Sequence, residues 1–186
     1  CSDYVLSKTP GNTVSNLSSS RALSDITLNR GGEYHSSGVG EVNVVEKMKK
    51  VNAIIGGEGN GGIIYPELHY GRDALVGVAL FLSLLTENSL KVSELRKNYP
   101  NYAMSKAKIS LSEGINVELI LEEIEKKYAD HKPVTIDCVK IEFESSWVHL
   151  RKSNTEPIVR VYAEAGSEKE SEALVQRFLK ELKEIV

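Results

Sequence analysis

The chain has 186 residues, enough for one domain or two small ones with a hydrophobic core. Apolar residues make up 41% of it and charged residues 26%, a composition that excludes a disordered or collagen-like protein. The 23 basic and 26 acidic side chains give a formal net charge of −3, and without a concentrated basic region we expect no binding of nucleic acid.

The first half alternates between predicted strands and helices. In chain order these are a strand at residues 13–17, a helix at 20–28 with Ser20 as N-cap, a short strand at 33–37, a helix that begins at Gly40, strands at 53–55 and 63–65, and an apolar helix that begins at Asp73. This alternation predicts an α/β layer with helices on both faces of the sheet.

The second half is predicted to be an α+β sandwich of strands and two helices. Its elements are a strand at 106–111, a helix from the N-cap Asn116 to Tyr128, strands at 134–138, 139–143, 147–151 and 158–165, and a closing helix at 174–185. The alternation of apolar residues changes phase between the strands at 134–138 and 139–143, a phase flip that predicts a turn near Asp137. The predicted domains are residues 1–90 and 106–186, joined by a connector at 91–105.

Cysteine content and apolar runs bear on location. Cys1 and Cys138 are too few for a disulfide scaffold and indicate a reducing compartment, so we expect a cytoplasmic protein. Residues 74–85 contain 10 apolar residues in 12. A bilayer requires roughly 20, so this run predicts a buried core helix and no membrane partner.

The chain opens without a capping residue ahead of an apolar pattern, which indicates a start inside a structural element.

The first loop that can carry chemistry is the glycine-rich loop, residues 56–62, between two apolar strands. Its five glycines let the backbone approach a ligand closely, and its remaining side chains are the carboxylate of Glu58 and the amide of Asn60. Both groups suit vicinal sugar hydroxyls, which donate and accept hydrogen bonds. The alternative is a plain strand connection in which Gly-Asn-Gly satisfies the turn geometry.

The second loop, residues 151–157, is a polar turn followed by another arginine. Guanidinium groups, hydroxyls and an amide are the donors that a phosphate prefers in a concave turn. The candidate phosphate ligands are Arg151, Ser153, Asn154, Thr155 and Arg160. The alternative is a hairpin in which serine and asparagine cap their own backbone.

Other polar residues give weaker indications. The four histidines have no metal-ligand spacing and are expected at the surface or in strands: His35, His69, His131 and His149. Asp73 is expected to be a helix N-cap rather than a catalytic acid. Arg72 either binds an anion or pairs with a neighbouring carboxylate.

Four segments together resemble the α-D-phosphohexomutases, the family of phosphoglucomutase, phosphomannomutase and phosphoglucosamine mutase. They are Gly-Gly-Glu-Gly-Asn-Gly-Gly-Ile-Ile-Tyr-Pro, Tyr-Gly-Arg-Asp-Ala, Arg-Lys-Ser-Asn-Thr-Glu-Pro-Ile-Val-Arg-Val-Tyr-Ala-Glu-Ala and Ser-Gly-Val-Gly-Glu-Val-Asn-Val. The resemblance spans nearly the whole chain, and Gly-Asn-Gly-Gly is similar to phosphoglucosamine mutases of the archaeal type. Where relatives carry Arg-Thr-Lys or Arg-Thr-Pro, this chain has Ser36-Ser37-Gly38, which puts an anion contact there in question.

The resemblance implies the C-terminal half of a four-domain enzyme. Residues 1–90 would be an N-terminally incomplete α/β third domain, and residues 106–186 a TATA-binding-protein-like α+β fourth domain. The resemblance implies that the glycine-rich loop recognises sugar hydroxyls through Glu58, Asn60, Gly57 and Gly61. It also implies that the second loop holds the unreactive phosphate of the substrate through the five ligands named above.

The full-length enzyme of this family interconverts hexose 1- and 6-phosphates through a phosphoserine and a bisphosphorylated intermediate. Mg²⁺ is its cofactor, and hexose 1,6-bisphosphate is its activator and intermediate. The motifs for the phosphoserine, Thr-Ala-Ser-His-Asn-Pro, and for magnesium, Asp-x-Asp-x-Asp, do not occur in this sequence. We therefore expect this chain to bind a phosphosugar, to contain no catalytic residue and no metal ligand, and to depend on domains one and two of the same polypeptide for catalysis.

Two other classes of protein remain open. A free-standing phosphosugar-binding module without catalysis would carry the same two loops, and the upstream reading frame distinguishes it from the enzyme. A nucleic-acid-binding domain is suggested by the TATA-binding-protein-like fold alone, but it would require a basic face that the composition does not show.

Overall fold

The computed structural model describes residues 1–111, 115–153 and 156–185. The chain divides into two compact units, Cys1–Pro100 and Asn101–Val186. The segment 91–105, predicted as a connector, contains a short helix, Val92–Arg96, and the first three residues of the strand Ala103–Ser110.

The first unit is a five-stranded sheet with helices. Its helices are α1 (Ser2–Lys8), α2 (Ala22–Asn29), α3 (Glu41–Lys50), α4 (Ala74–Asn88) and α5 (Val92–Arg96), and its strands are β1 (Thr13–Asn16), β2 (Tyr34–Ser37), β3 (Ile55–Gly57), β4 (Ile63–Tyr65) and β5 (His69–Arg72). The strand order is β2-β1-β3-β4-β5. Strand β1 pairs in parallel with β2 and β3, whereas β3, β4 and β5 pair antiparallel.

Helices cover both faces of this sheet, as the alternation of side chains along β1 shows. Val14 packs on one face with Val44 and Met48 of α3. The hydroxyl of Thr13 points to the opposite face, where it shares a 2.6 Å hydrogen bond with the hydroxyl of Thr27 in α2. The predicted α/β layer is therefore confirmed.

Strand β3 begins two residues later than predicted and extends into the glycine-rich loop. Gly56 and Gly57 pair with β1 and β4, and this pairing outweighs the weak strand propensity of glycine. A Cβ atom on Gly56 would lie 2.8 Å from the Val14 carbonyl oxygen, so the backbone of β1 approaches too closely for any side chain there. Strand β5 was not predicted, because its sequence His-Tyr-Gly-Arg has no apolar alternation.

Helix α4 begins as predicted, since the carboxylate of Asp73 accepts a 3.0 Å hydrogen bond from the Val76 amide. The expectation of a buried core helix is wrong. Within α4, which is described throughout, Leu84 is the one buried residue, whereas Leu75 is 81% and Leu82 is 54% exposed. A helix that is apolar on every side carries no sequence signal of which side packs. No helix in the described ranges is both long enough and apolar enough to cross a bilayer.

The second unit is an antiparallel sheet with two helices on one face. It contains β6 (Ala103–Ser110), α6 (Val117–Lys127), a 3-10 turn (Ala129–His131), β7 (Val139–Glu142), β8 (Trp147–Lys152), β9 (Ile158–Ala165) and α7 (Glu168–Ile185). The strand order is β6-β9-β8-β7. Ile124 of α6 and Phe178 of α7 are fully buried against Leu150 and Val161 of the sheet. The predicted α+β fold is confirmed.

A tight connection leads into β7, as the phase flip predicted. Val134 and Lys140 exchange two backbone hydrogen bonds of 2.8 and 2.9 Å, which close a turn around Asp137. Cys138 takes a positive φ of 59° within this turn. The turn therefore brings the side chain of Asp137 to one end of the sheet, near the start of the second loop.

Candidate functional site

The glycine-rich loop is a tight turn between β3 and β4. The amide of Glu58 donates to the carbonyl of Gly62 at 3.0 Å, and the amide of Gly61 donates to the carbonyl of Glu58 at 3.1 Å. Asn60 is exposed, and its side-chain oxygen accepts from the Gly62 amide at 3.1 Å. A Cβ atom on Gly57 would lie 2.1 Å from the Gly62 carbonyl oxygen, so the turn requires glycine at that position.

The carboxylate of Glu58 is held in one orientation by its neighbours. Its Oε1 accepts from Nδ2 of Asn16 at 2.9 Å and from the Gly40 amide at 3.2 Å. Its Oε2 lies 3.6 Å from Nη1 of Arg72, and the Glu58 side chain is only 7% exposed. A carboxylate fixed in this way is a preorganised acceptor for a hydroxyl donor.

Arg72 pairs with carboxylates, which decides between its two predicted roles. Its Nε donates to Oε2 of Glu41 at 2.8 Å, and its amide donates to Oε1 of Glu41 at 3.0 Å. These two hydrogen bonds hold the pKa of the Glu41 carboxyl below its usual value. Arg72 thus links Glu41 to Glu58. Sequence reasoning missed this link and the contact from Asn16, because the partners are far apart in the chain.

A cavity of about 200 Å³ borders the glycine-rich loop. Its lining includes Ser15, Ser19 and Ser20 together with Gly57 and Glu58. The serines come from the end of β1 and the turn after it. They meet the loop because β1 and β3 are parallel neighbours whose carboxyl ends share one edge of the sheet. The cavity therefore lies beside the fixed carboxylate, and each of its three serine hydroxyls already has a hydrogen-bond partner within the unit.

The second loop connects β8 to β9. The amide of Ser153 donates to the carbonyl of Ile158 at 3.0 Å, which closes the hairpin. The strand register sets Arg151 directly opposite Arg160, so both side chains project from the same face of the sheet. Asn154 and Thr155, which were predicted as phosphate ligands, lie outside the described residues.

Asp137 holds Arg151 from the adjacent turn. Nε of Arg151 lies 3.0 Å from Oδ2 of Asp137, and the two side chains are 20% and 19% exposed. The Nε–H bond is not directed at a hydrogen-bond acceptor, so the contact is electrostatic and leaves the guanidinium able to bind an anion. The Asp137 carbonyl accepts from Nε2 of His149 at 2.7 Å.

His149 should make the second unit sensitive to acid. Burial lowers its pKa to about 4, whereas the unfolded chain takes up the proton near pH 6.5. The contribution of His149 to the free energy of unfolding is therefore complete above pH 6.5. It decreases by about 3 kcal/mol as the pH falls to 4.

Urea unfolding at several pH values measures this loss through the fluorescence of Trp147, the chain's one tryptophan and a fully buried residue of this unit. We expect His149→Gln to flatten the pH profile between 6.5 and 4. The control, His69→Gln at a half-exposed side chain of the first unit, should leave it unchanged. A profile that stays equally steep in His149→Gln would contradict the assignment.

Metal ions in proteins are held by clusters of histidine, cysteine, aspartate and glutamate side chains. Across residues 1–111, 115–153 and 156–185, no group of three or more histidine, cysteine, aspartate or glutamate side chains is arranged to hold a metal ion. The described residues therefore do not fit a magnesium site.

Comparison with known proteins assigns a family to both units. Residues 1–102 match the alpha/beta/alpha domain III of phosphoglucomutase/phosphomannomutase. Residues 107–181 match the C-terminal domain of the same family. These two matches together cover most of the chain.

Relatives and solved structures agree with this assignment. The chain is 41% identical over 150 residues to a phosphoglucosamine/phosphogalactosamine mutase of Sulfurisphaera tokodaii, covering 80% of this chain and 32% of that protein. A phosphoglucomutase/phosphomannomutase family protein of Burkholderia thailandensis has a TM-score of 0.79 and 25% identity, covering 98% of this chain and 39% of its own. N-acetylphosphoglucosamine mutase of Aspergillus fumigatus, solved with GlcNAc-6P and magnesium, shares the fold at 14% identity, with a TM-score of 0.65 and coverage of 97% and 44%.

The chain spans less than half of the length of each of these proteins. The family expected from the four sequence segments is confirmed, and a phosphoglucosamine mutase is among the relatives, as the Gly-Asn-Gly-Gly loop predicted. With both of its units matched, the chain belongs to the phosphoglucomutase/phosphomannomutase family, of which it represents domain III and the C-terminal domain.

Proposed function

We propose that this chain is the sugar- and phosphate-binding half of a phosphohexomutase. The full-length enzyme would interconvert hexose 1- and 6-phosphates through a phosphoserine and a bisphosphorylated intermediate, as an intramolecular phosphotransferase in the cytoplasm. Its partners would be a phosphosugar and domains one and two of the same polypeptide. The observation that carries the proposal is the register of β8 and β9, which pairs Arg151 with Arg160 beside a loop rich in donors.

The hairpin would bind the phosphate group that does not react. Like charges directly opposite each other on a sheet destabilise it, and an anion held between Arg151 and Arg160 removes that cost. The planar guanidinium group of an arginine can bind two phosphate oxygens at once, and Ser153, Asn154 and Thr155 would supply neutral donors. Anchoring one phosphate in this way fixes the position of the whole sugar.

The glycine-rich loop would bind the sugar ring. Glu58 would accept hydrogen bonds from ring hydroxyls, and the exposed amide of Asn60 would donate and accept beside it. Gly57 and Gly61 would let the ring approach the backbone. The carboxylate of Glu58 is already oriented by Asn16 and Gly40, so binding would require little reorganisation.

Phosphoryl transfer itself would depend on the rest of the polypeptide. Magnesium in the parent enzyme would neutralise charge on the transferring group, and hexose 1,6-bisphosphate would act as its activator and intermediate. The described residues offer no site for that metal, and the sequence lacks the phosphoserine motif. This chain would bind and orient the substrate without transferring its phosphate.

We therefore expect the purified 186-residue chain to bind hexose phosphates without converting them. A coupled mutase assay with magnesium and hexose 1,6-bisphosphate, on the 1-phosphates of glucose, mannose and glucosamine, tests this directly. The full-length parent is the positive control, and an Arg151→Met sample prepared identically reports contaminating activity. Turnover by the unaltered chain that disappears in Arg151→Met would contradict the prediction.

A further inference from the structure

We propose that Lys108 is a third cationic ligand of the phosphate bound by the β8–β9 hairpin. This inference rests on the proposed function of that hairpin. It derives from the register of the sheet, in which Arg160 lies opposite Arg151 of β8 on one side and opposite Lys108 of β6 on the other. Directly opposed residues share a face, so the three cations form one row across three adjacent strands.

The row lies on the sheet face that the helices leave uncovered. Ile109 next to Lys108, and Val159 and Val161 on either side of Arg160, pack in the core with α6 and α7. Side chains alternate along a strand, so Lys108 and Arg160 project from the opposite face. Neighbouring strands lie about 4.8 Å apart, a distance that lysine and arginine side chains both exceed. A phosphate held over Arg160 is therefore within reach of both neighbours in the row.

The neighbouring lysines on this face have side-chain partners, a cation–π contact for one and an ion pair for the other. Nζ of Lys106 lies 5.2 Å from the ring centre of Tyr162. Nζ of Lys140 forms a 2.7 Å ion pair with Glu142. Lys106 and Lys140 belong to the next row of the sheet, farther from the hairpin. In this row, the lysine on β6 is thus held by an aromatic ring and the lysine on β7 by a carboxylate.

Among the described residues, Lys108 and Arg160 have neither kind of partner. Within the described part of the chain, neither side chain forms an ion pair with a carboxylate, and Asp137, in the turn before β7, contacts Arg151. Lys108 is exposed and Arg160 is half-buried. Adjacent cations repel each other unless a counter-ion lies between them, and a phosphate dianion supplies two charges of the required sign.

A different role for Lys108 follows from its strand. β6 is an edge of the sheet, and lysines on edge strands hinder pairing with another chain. Lys106 would share that role equally, because it lies on the same strand and the same face. Lys106 is therefore the matched control, since it differs from Lys108 by one row of the sheet and by its contact with Tyr162.

The test is a titration of the full 186-residue chain with inorganic phosphate at constant ionic strength. The amide signals of Ser153 and Arg160 in nitrogen-15 spectra report binding. We expect Lys108→Met to raise the Kd about three- to tenfold, because it removes a charge-assisted hydrogen bond to the phosphate. We expect Lys106→Met to raise the Kd less than about twofold, because it removes only a more distant charge whose attraction is screened by salt. The fluorescence of Trp147 confirms that each variant is folded.

The outcomes separate this inference from the proposed function. Binding by the unaltered chain, with equal Kd values for Lys108→Met and Lys106→Met, would overturn the role of Lys108 and leave the hairpin as the phosphate site. Absence of any shift at Ser153 and Arg160 in the unaltered chain would overturn the hairpin's role and the role of Lys108 with it.

Discussion

Replacing Arg151 by methionine is expected to remove most of the phosphosugar affinity of the chain, raising the Kd at least about thirtyfold. Two effects act in the same direction. The guanidinium that would hold the phosphate is lost, and the negative charge of Asp137, which lies 3.0 Å from that guanidinium, stays in place and repels an incoming anion. Calorimetric titration with glucosamine 6-phosphate measures the change. In a full-length enzyme of the proposed kind, we expect the corresponding result to be a large rise in KM.

Two further variants separate the causes of that loss. Arg151→Met combined with Asp137→Asn removes the repelling charge and should recover part of the affinity, several-fold over Arg151→Met alone. Arg151→Lys keeps the positive charge without the planar fork and should fall between the unaltered chain and Arg151→Met. An unchanged Kd in Arg151→Met would remove the hairpin from the proposed site.

The second large effect is expected from Gly57→Ala in the glycine-rich loop. The added methyl group would lie 2.1 Å from the Gly62 carbonyl oxygen, which itself accepts the hydrogen bond of the Glu58 amide. The atoms that the methyl group would meet belong to the backbone and cannot rotate away. The turn must therefore open, at a cost of at least about 3 kcal/mol in local stability. Displacement of Glu58 should abolish sugar recognition even if the remainder of the unit stays folded.

Amide hydrogen exchange of the loop, with Gly61→Ala as the matched control, measures that cost. A Cβ atom on Gly61 meets nothing within 4 Å, but the residue has a φ of +93°, so alanine there should cost only about 1–2 kcal/mol through backbone strain. We expect the amide protons of Glu58 and Gly61 to exchange much faster in Gly57→Ala than in Gly61→Ala. Equal exchange rates in the two variants would contradict the steric account of this turn.

The sequence predicted those parts of the fold for which local signals are strong. Asp73 and Asn116 both accept hydrogen bonds from helix N-terminal amides, as their capping positions indicated. The phase flip near Asp137 correctly predicted a turn, because a strand cannot reverse its buried face without a break. The two layers followed from the alternation of strands and helices in the first half and the grouped strands of the second.

The parts that failed depend on contacts between distant residues. From the sequence, the glycines of β3 are predicted as loop residues, because their place in the sheet depends on pairing with β1, which is distant in the chain. The apolar sequence of α4 gave no indication that Leu75 would be exposed. Likewise, no local pattern connects Glu58 with Asn16 and Arg72, because β1, β3 and β5 are brought together only by the sheet. Sequence motifs could name the loops, but not the residues that orient them.

The central claim is that these two loops bind one class of ligand, a hexose phosphate. The most direct test compares nitrogen-15 spectra of the chain during titration with glucosamine 6-phosphate and with inorganic phosphate. We predict that the sugar phosphate shifts the amide signals of Glu58 and Gly61 as well as that of Ser153, whereas inorganic phosphate shifts Ser153 and leaves the glycine-rich loop unchanged. A sugar phosphate that shifts none of these three amides at millimolar concentration would contradict the account.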